Sequence, residues 1–148
     1  MSYSFMRCVL DTDVVVAAMR SPRGASAALL LAALDSRIEL AANVALVLEY
    51  ESVCSRDEHL LASGLTAPEA QQFVDGVAAL VHPVTSHFIW RPQLKDPGDE
   101  MVLEAAVNGM ADAIVTFNQR DYGPVPLRFG VETLLPRDVL VALQKGTP

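Results

Sequence analysis

Short apolar runs alternate along this chain with longer segments whose apolar residues recur at helical spacing. Met6 to Leu10 (MRCVL) is an apolar run that ends at Asp11, the pattern of a buried strand carrying a carboxylate at its C-terminal end. Ile38 to Ala41 and Ala113 to Thr116 are similar runs, and a weaker one lies near Val131. These runs predict the strands of a buried sheet.

Five other segments have helical patterns, and most of them begin at a residue that can cap a helix. They cover Ala25 to Leu34, Val44 to Val53, Thr66 to about Leu80, Asp96 to Asn108 and Pro136 to about Leu143. Ser21 or Ser26 is available to cap the first, and Asn43 can cap the second. Thr66 opens a capping box at the third, and Asp96 is a natural cap for the fourth.

The alternation of strands and helices indicates an α/β fold with a mainly parallel sheet that helices cover on both faces. The 148 residues suit one domain with one core, and no linker, repeat or low-complexity segment divides the chain. The hydrophobic fraction of 51% is richest in Ala, Val and Leu, as expected for helices on a buried sheet. We therefore expect a single domain over residues 1–148.

Two simple features predict the compartment. No apolar run approaches the roughly 20 residues that cross a bilayer, and the N-terminus reaches an acidic motif too early for a signal peptide. Cys8 and Cys54 are too sparse for a disulfide framework and lack the spacing of a zinc site, so we expect buried free thiols. The prediction is a cytoplasmic protein without membrane contact.

The charge of the chain restricts how it could bind nucleic acid. Eighteen acidic and eleven basic side chains give a net charge of -7, which argues against non-specific binding to a polyanion. A nucleic-acid role would depend on bound metal, a local arginine patch or a partner. Arg20, Arg23 and Arg120 fall near predicted turns and are candidate RNA phosphate contacts, although a solvated surface position is the simpler interpretation of each.

Acidic and amide side chains follow the predicted strands at the edge where a parallel sheet binds its ligands. Glu49 lies one to two turns inside its helix and reaches this crevice only if that helix leans across the strand ends. The others come directly after a strand or in the first turn of a helix: Asp11, Asp13, Asp99, Asn118 and Asp121.

Carboxylates gathered in this way repel one another unless a multivalent cation compensates their charge. Oxygen ligands without nearby His or Cys favour Mg²⁺ or Mn²⁺ over zinc, and such a site hydrolyses phosphodiesters. Asp11, Glu49 and Asp99 are the principal candidates for catalysis and metal binding. Further candidate ligands, each of which could instead make a turn, are Asp13, Asn118 and Asp121.

Some nearby side chains are expected to play supporting or structural roles. Thr12, Thr116 and Asp96 could orient the acids through hydrogen bonds, and each could equally be an ordinary cap. A structural role is favoured for Asp96, and also for Asp112. No catalytic role is expected for the three histidines, which lack ligand spacing and do not follow the acids in sequence: His59, His82 and His87.

The ordered motifs resemble the PIN-domain family, and within it the stand-alone toxin components related to the VapC toxins. They are VLDTDVVVAA at 9–18, SPRGASAALLLAAL at 21–34, VLEYESV at 47–53, KDPGDEMVLEAAVNGMADAIVT at 95–116 and FNQRDYG at 117–123. By motif, Asp11, Glu49 and Asp99 match the first three family acids. The family often has Asn where this chain has Asp13, and Asp where it has Asn118.

This resemblance implies a Rossmann-like three-layer α/β/α sandwich and a Mg²⁺- or Mn²⁺-dependent ribonuclease site. It also implies a homodimer that a cognate antitoxin holds inactive. The leading hypothesis is thus a metal-dependent endoribonuclease, the toxin of a type II toxin-antitoxin system.

Two other functions compete with this hypothesis. The acidic charge and Asn118 motivate a PIN-fold protein with weakened catalysis that acts through protein contacts. The Asp-x-Asp after the first strand also occurs in haloacid-dehalogenase-like phosphatases, which transfer phosphoryl groups through an aspartate. No paired Lys and Thr motifs follow here, which weighs against that alternative.

Overall fold

The computed structural model describes residues 6–85 and 92–145. Five strands form one sheet: β1 (Arg7–Leu10), β2 (Glu39–Ala42), β3 (Val81–Pro83), β4 (Ala113–Val115) and β5 (Glu132–Leu134). Their order across the sheet is β3-β2-β1-β4-β5, and every neighbouring pair is parallel. The central strand β1 therefore delivers Asp11 to the middle of the carboxyl edge of the sheet.

Helices follow or precede each strand and complete a three-layer α/β/α sandwich. They are α1 (Thr12–Arg20), α2 (Ala25–Leu34), α3 (Val44–Cys54), α4 (Asp57–Ser63), α5 (Ala67–Leu80), α6 (Pro97–Asn108), α7 (Gln119–Tyr122), α8 (Val125–Arg128) and α9 (Pro136–Lys145). Among the described residues, no single helix is long and apolar enough to cross a membrane; α1 and α2 reach that length only together, across a 99° bend. The expected α/β/α architecture is confirmed, with a sheet that is wholly parallel.

Local capping signals predicted most of the long helices correctly. The backbone N–H of Leu46 donates to Asn43 Oδ1 at 2.9 Å, Thr66 and Glu69 form the reciprocal capping box, and Asp96 caps α6 through the N–H of Gly98. The predicted serine cap of α2 is wrong. Its N-cap is Gly24, without a side-chain bond, because the helix begins directly after the turn and Ser26 is buried inside it.

Several elements were not predicted, and the largest is α1. Its run of Val14, Val15 and Val16 has β-branched side chains that are weak helix formers. All three are buried in the core, and α1 contacts β1, α2 and α3. Packing therefore outweighs local propensity here. The other missed elements are short or lie at an edge: α4, β3, α7 and α8.

Two hydrogen bonds position α3 against the rest of the site. The side-chain amide of Asn43 donates to the carbonyl of Met101 in α6, and the hydroxyl of Tyr50 donates to the carbonyl of Leu10 at the end of β1. Helix α3 thus lies against the end of β1, which is the arrangement that Glu49 requires to approach the crevice. Cys8 and Cys54 are buried free thiols, as expected.

Candidate active site

Asp11 occupies the junction between β1 and α1. Its backbone N–H donates to the carbonyl of Val115 at 2.9 Å, which continues the pairing of β1 with β4. Its side chain caps α1, with Oδ1 accepting from the N–H of Thr12 at 2.8 Å. The residue is 8% exposed. Strand pairing and helix capping together fix both the backbone and the side chain of this acid.

The second oxygen of Asp11 accepts two hydroxyl hydrogen bonds. Thr116 Oγ1 donates to Oδ2 at 2.8 Å, and the Tyr122 hydroxyl donates to the same oxygen at 3.0 Å. Burial, followed by the charges of Asp11 and Asp99, raises the pKa of Tyr122 well above its ordinary value. Tyr122 therefore remains a protonated donor at physiological pH.

Asp99 lies in the first turn of α6, where it faces the same tyrosine. Partial burial and then the charges of Asp11, Asp96 and Asp121 raise the pKa of Asp99 to about 6, while the nearby Tyr122 hydroxyl acts in the opposite direction. The Tyr122 hydroxyl is thus within reach of two carboxylates. Asp11 and Asp99 therefore lie close enough for the charge of one to raise the pKa of the other.

Asp13 and Asn118 form the other side of the site. Asp13 Oδ2 accepts from the backbone N–H of Phe117 and from the side-chain amide of Asn118, each at 3.1 Å. Asp13 Oδ1 is buried and has no hydrogen-bond partner in the described part of the chain. Burial and the charge of Asp11 raise the pKa of Asp13 to about 6, although the Phe117 hydrogen bond lowers it in part.

The candidate acids divide between two cavities instead of sharing one crevice. The α1–α4 cavity, of about 610 Å³, is lined by residues that include Asp13, Arg20, Glu49, Arg56, His59 and Phe117. The α6–α7 cavity, of about 460 Å³, is lined by residues that include Asp96, Asp99, Arg120, Asp121 and Tyr122. The charge of Asp11 raises the pKa of both Asp13 and Asp99, so this residue links the two groups.

No three His, Cys, Asp or Glu side chains within residues 6–85 and 92–145 are grouped closely enough to ligate one metal ion as they stand. Glu49 is half-buried beside Asp13, not in the cavity that contains Asp99. Asp112 lies at the opposite, amino edge of the sheet, where Oδ2 accepts from the N–H of Arg7. A structural role for Asp112 fits this position.

A family model described as the PIN domain matches residues 7–120. The chain belongs to the PIN domain family. PIN domains are generally nucleases, hydrolases that act on nucleic acids. The matched region of this PIN domain runs from the first residue of β1 into α7, and it includes Asp11, Glu49 and Asp99.

The fold of this PIN domain is also found in a solved structure. The crystal structure of VapBC2 from Rickettsia felis, bound to a DNA fragment from their promoter, contains a chain that superposes with a TM-score of 0.59. That match has 15% sequence identity and covers 86% of this chain and 98% of the other. A comparison with curated proteins found no match.

The remaining predicted site residues of this PIN domain lie in different parts of the structure, and only some of them contact the acids. Thr116 donates directly to Asp11, whereas Thr12 contributes only its backbone N–H. Arg20 borders the α1–α4 cavity and Arg120 the α6–α7 cavity, while Arg23 is exposed on the turn between α1 and α2.

Sequence reasoning missed three side chains at the site. Tyr122 lies in the FNQRDYG motif, and its place after β4 was the available signal. His59 and Arg56 gave no such signal, because α4 brings them to the α1–α4 cavity only in the folded chain. Among the other histidines, His82 is exposed on β3, and His87 lies outside the described residues.

Proposed function

We propose that this PIN domain is a metal-dependent endoribonuclease that hydrolyses RNA phosphodiester bonds, with Asp11, Glu49 and Asp99 as its principal acids. The observation that carries the proposal is the approach of Asp11 and Asp99 to one tyrosine hydroxyl at the carboxyl edge of the sheet. Ligands of parallel α/β sheets bind at this edge. Membership of a family of nucleases supports the class of reaction.

The side chains at this edge fit a hard divalent cation, Mg²⁺ or Mn²⁺. The buried Asp13 Oδ1 lacks a partner among the described residues, and a cation would satisfy it. A cation would also relieve the mutual repulsion of Asp11, Asp13 and Asp99. The oxygen atoms proposed to hold it come from Asp11, Glu49 and Asp99, with further candidates in Asp13, Asn118 and Asp121.

When bound, such a cation supplies positive charge that makes water more acidic and offsets the charge of the phosphate. The chain itself orients Asp11. Oδ2 already accepts two hydroxyl hydrogen bonds, whereas Oδ1 accepts one from the Thr12 N–H. Because a carboxylate oxygen has two lone pairs, Oδ1 is the Asp11 atom with acceptor capacity left for a ligand.

Cleavage of a long single-stranded RNA by the purified protein tests the proposal. Activity should require Mg²⁺ or Mn²⁺, and Asp11→Asn, Glu49→Gln and Asp99→Asn should each reduce it by about a hundredfold or more. Asp112→Asn is the matched control, since it makes the same change at the opposite edge of the sheet. Cleavage that survives chelation, or full activity in the Asp11 and Asp99 variants, would overturn it.

We also propose that the protein is the toxin of a type II toxin-antitoxin system, acting in the cytoplasm as a homodimer that an antitoxin inhibits. The fold shared with a chain of the VapBC2 complex supports this assignment. Expression of the wild type in a bacterial host should arrest growth, and Asp11→Asn should not. Co-expression of an adjacent gene product that co-purifies with the chain should relieve the arrest, and light scattering should give the mass of a dimer.

A PIN-fold interaction module with weakened catalysis is the alternative that one observation favours. Glu49 and Asp99 line different cavities, so the acids are not assembled as a single ligand set in the described residues. This alternative predicts no RNA turnover with either metal. It also predicts that Asp11→Asn leaves the binding of a protein partner unchanged.

A further inference from the structure

The α1–α4 cavity has features of a ligand site beyond the acids on its wall. Its volume of about 610 Å³ lies within the range of roughly 300–1,000 Å³ typical of small-molecule sites. Its lining includes the apolar side chains of Val16 and Val53 and the aromatic ring of Phe117. Phe117 is 49% exposed, so its ring is open to a ligand in the cavity. Exposed aromatic rings provide stacking surfaces for nucleobases.

Two arginines border the same cavity, in a chain whose net charge is -7. Both are exposed, and neither Arg20 nor Arg56 forms an ion pair with a carboxylate in the described structure. Guanidinium groups bind phosphate through paired N–H donors. These arginines are therefore available to an anionic ligand, and they offset the acidic wall formed by Asp13 and Glu49.

His59 also lines the α1–α4 cavity, together with the two arginines. Its side chain is 14% exposed, and its Nδ1 is buried without a hydrogen-bond partner among the described residues. A buried polar atom without a partner is uncommon in folded proteins. His59 lines the cavity, so a ligand there would lie beside the imidazole.

We propose that the α1–α4 cavity binds one nucleotide of the RNA, next to the bond that is cleaved. Phe117 stacks on the base, Arg20 and Arg56 bind the backbone phosphate, and His59 hydrogen-bonds to the nucleotide. Asp13 and Arg20 lie seven residues apart on α1, which is about 10 Å along the helix axis. This assignment rests on the proposed ribonuclease function and names where its substrate binds.

Nuclear magnetic resonance can test the cavity without any cleavage. Each of the four nucleoside 5′-monophosphates is titrated in turn into isotope-labelled protein with Mg²⁺; these probes contain no phosphodiester bond. At least one nucleotide should shift the resonances of Arg20, Arg56, His59 and Phe117 in a saturable way. Arg56→Ala and Phe117→Ala should each raise its Kd by about tenfold, the equivalent of roughly 1.4 kcal/mol. Arg37→Ala removes a charge at the amino edge of the sheet and should leave the Kd for the nucleotide unchanged.

Circular dichroism first establishes that the variants are folded. The inference is overturned if all four nucleotides leave these signals unshifted, if the shifts cluster at the α6–α7 cavity, or if Arg56→Ala and Phe117→Ala bind like the wild type. RNA cleavage by the same proteins is a separate readout, in which KM should rise more than kcat falls. A wild type that binds nucleotide here but cleaves no RNA would contradict the nuclease proposal alone.

Discussion

The Tyr122 hydroxyl donates to Asp11 Oδ2 at 3.0 Å and so connects α7, the short helix after β4, with the end of β1. The two residues are 111 positions apart in the chain. Thr116 Oγ1 donates to the same oxygen. A carboxylate held by two hydroxyl groups has little freedom to rotate, which prepares its other oxygen for a ligand.

Tyr122→Phe should therefore weaken cation binding more than it weakens the fold. Loss of a hydrogen bond that orients a metal ligand typically costs about 10- to 100-fold in metal affinity or activity. We expect the Kd for Mn²⁺, measured by calorimetry, to rise within that range. Asp112→Asn, at the opposite edge of the sheet, is the control and should bind Mn²⁺ like the wild type. If Tyr122→Phe also binds Mn²⁺ like the wild type, Tyr122 does not position Asp11 for a cation.

Thr116→Val tests the second hydroxyl with a side chain of nearly equal volume. Thr116 Oγ1 donates to Asp11 and accepts from the backbone N–H of Asn118. Because the residue is fully buried, the Asn118 N–H would lose its partner and Asp11 Oδ2 one of its two donors, at about 1–3 kcal/mol of unfolding free energy. Thr116→Ser retains the hydroxyl and should preserve Mn²⁺ affinity. Loss of affinity in Thr116→Ser, with Thr116→Val binding like the wild type, would mean that the methyl group, not the hydrogen bond, is important.

The fold was predictable where local signals and packing agree. The caps of α3, α5 and α6 lie at the predicted residues, Asn43, Thr66 and Asp96. Helix α1 was missed because its valines form a helix only when buried among the sheet, α2 and α3. Its cap, Asp11, was interpreted only as a site residue. The carboxylate of Asp11 both caps α1 and forms part of the candidate site.

The candidate site was predictable only for residues that directly follow a strand or open a helix. Asp11 and Asp99 satisfy that rule and lie close together. The position of Glu49 depends on how α3 packs against the end of β1, which Tyr50 helps to determine. His59 and Arg56 come from a short helix with no strong pattern of its own. Their role depends on tertiary contacts that spacing along the chain does not encode.

The raised pKa values of Asp13 and Asp99 should make the cation-free protein less stable as pH increases. Each pKa is raised from an ordinary 3.8 to about 6, by burial first and by neighbouring carboxylates second. The folded protein then holds protons that the unfolded chain has released, so this stabilisation is lost as pH rises through about 6. Because both groups are partly exposed, we expect about 1 kcal/mol from each after solvent screening.

Denaturation in EDTA at about pH 4.5 and pH 7 measures this loss, because most of it occurs between the unfolded and the folded pKa. Asp13→Asn and Asp99→Asn should each reduce it, and Asp112→Asn should not. Mn²⁺ should stabilise the protein more at the higher pH, because cations bind ionised carboxylates. A wild type that gains stability between the two pH values in EDTA would contradict the charge crowding described here.

Gly109 is the C-cap of α6 and packs closely against its surroundings. A Cβ at this position would lie 2.7 Å from the carbonyl oxygen of Ala105 and 2.8 Å from Cγ2 of Val84. The carbonyl of Gly109 also accepts from Arg7 Nη1 at 2.7 Å, so the backbone cannot shift without cost. Gly109→Ala should lower the unfolding free energy by about 1–3 kcal/mol, the usual effect of overpacking.

Gly76 offers the matched control, because it lies in α5 with no heavy atom within 4 Å of an added Cβ. Gly76→Ala should raise the unfolding free energy by about 0.5–1 kcal/mol through better helix propensity. Urea denaturation of the two variants measures both effects. The same substitution should thus have opposite signs at the two positions. Stabilisation by Gly109→Ala would mean that Val84 and the end of α6 can separate without cost.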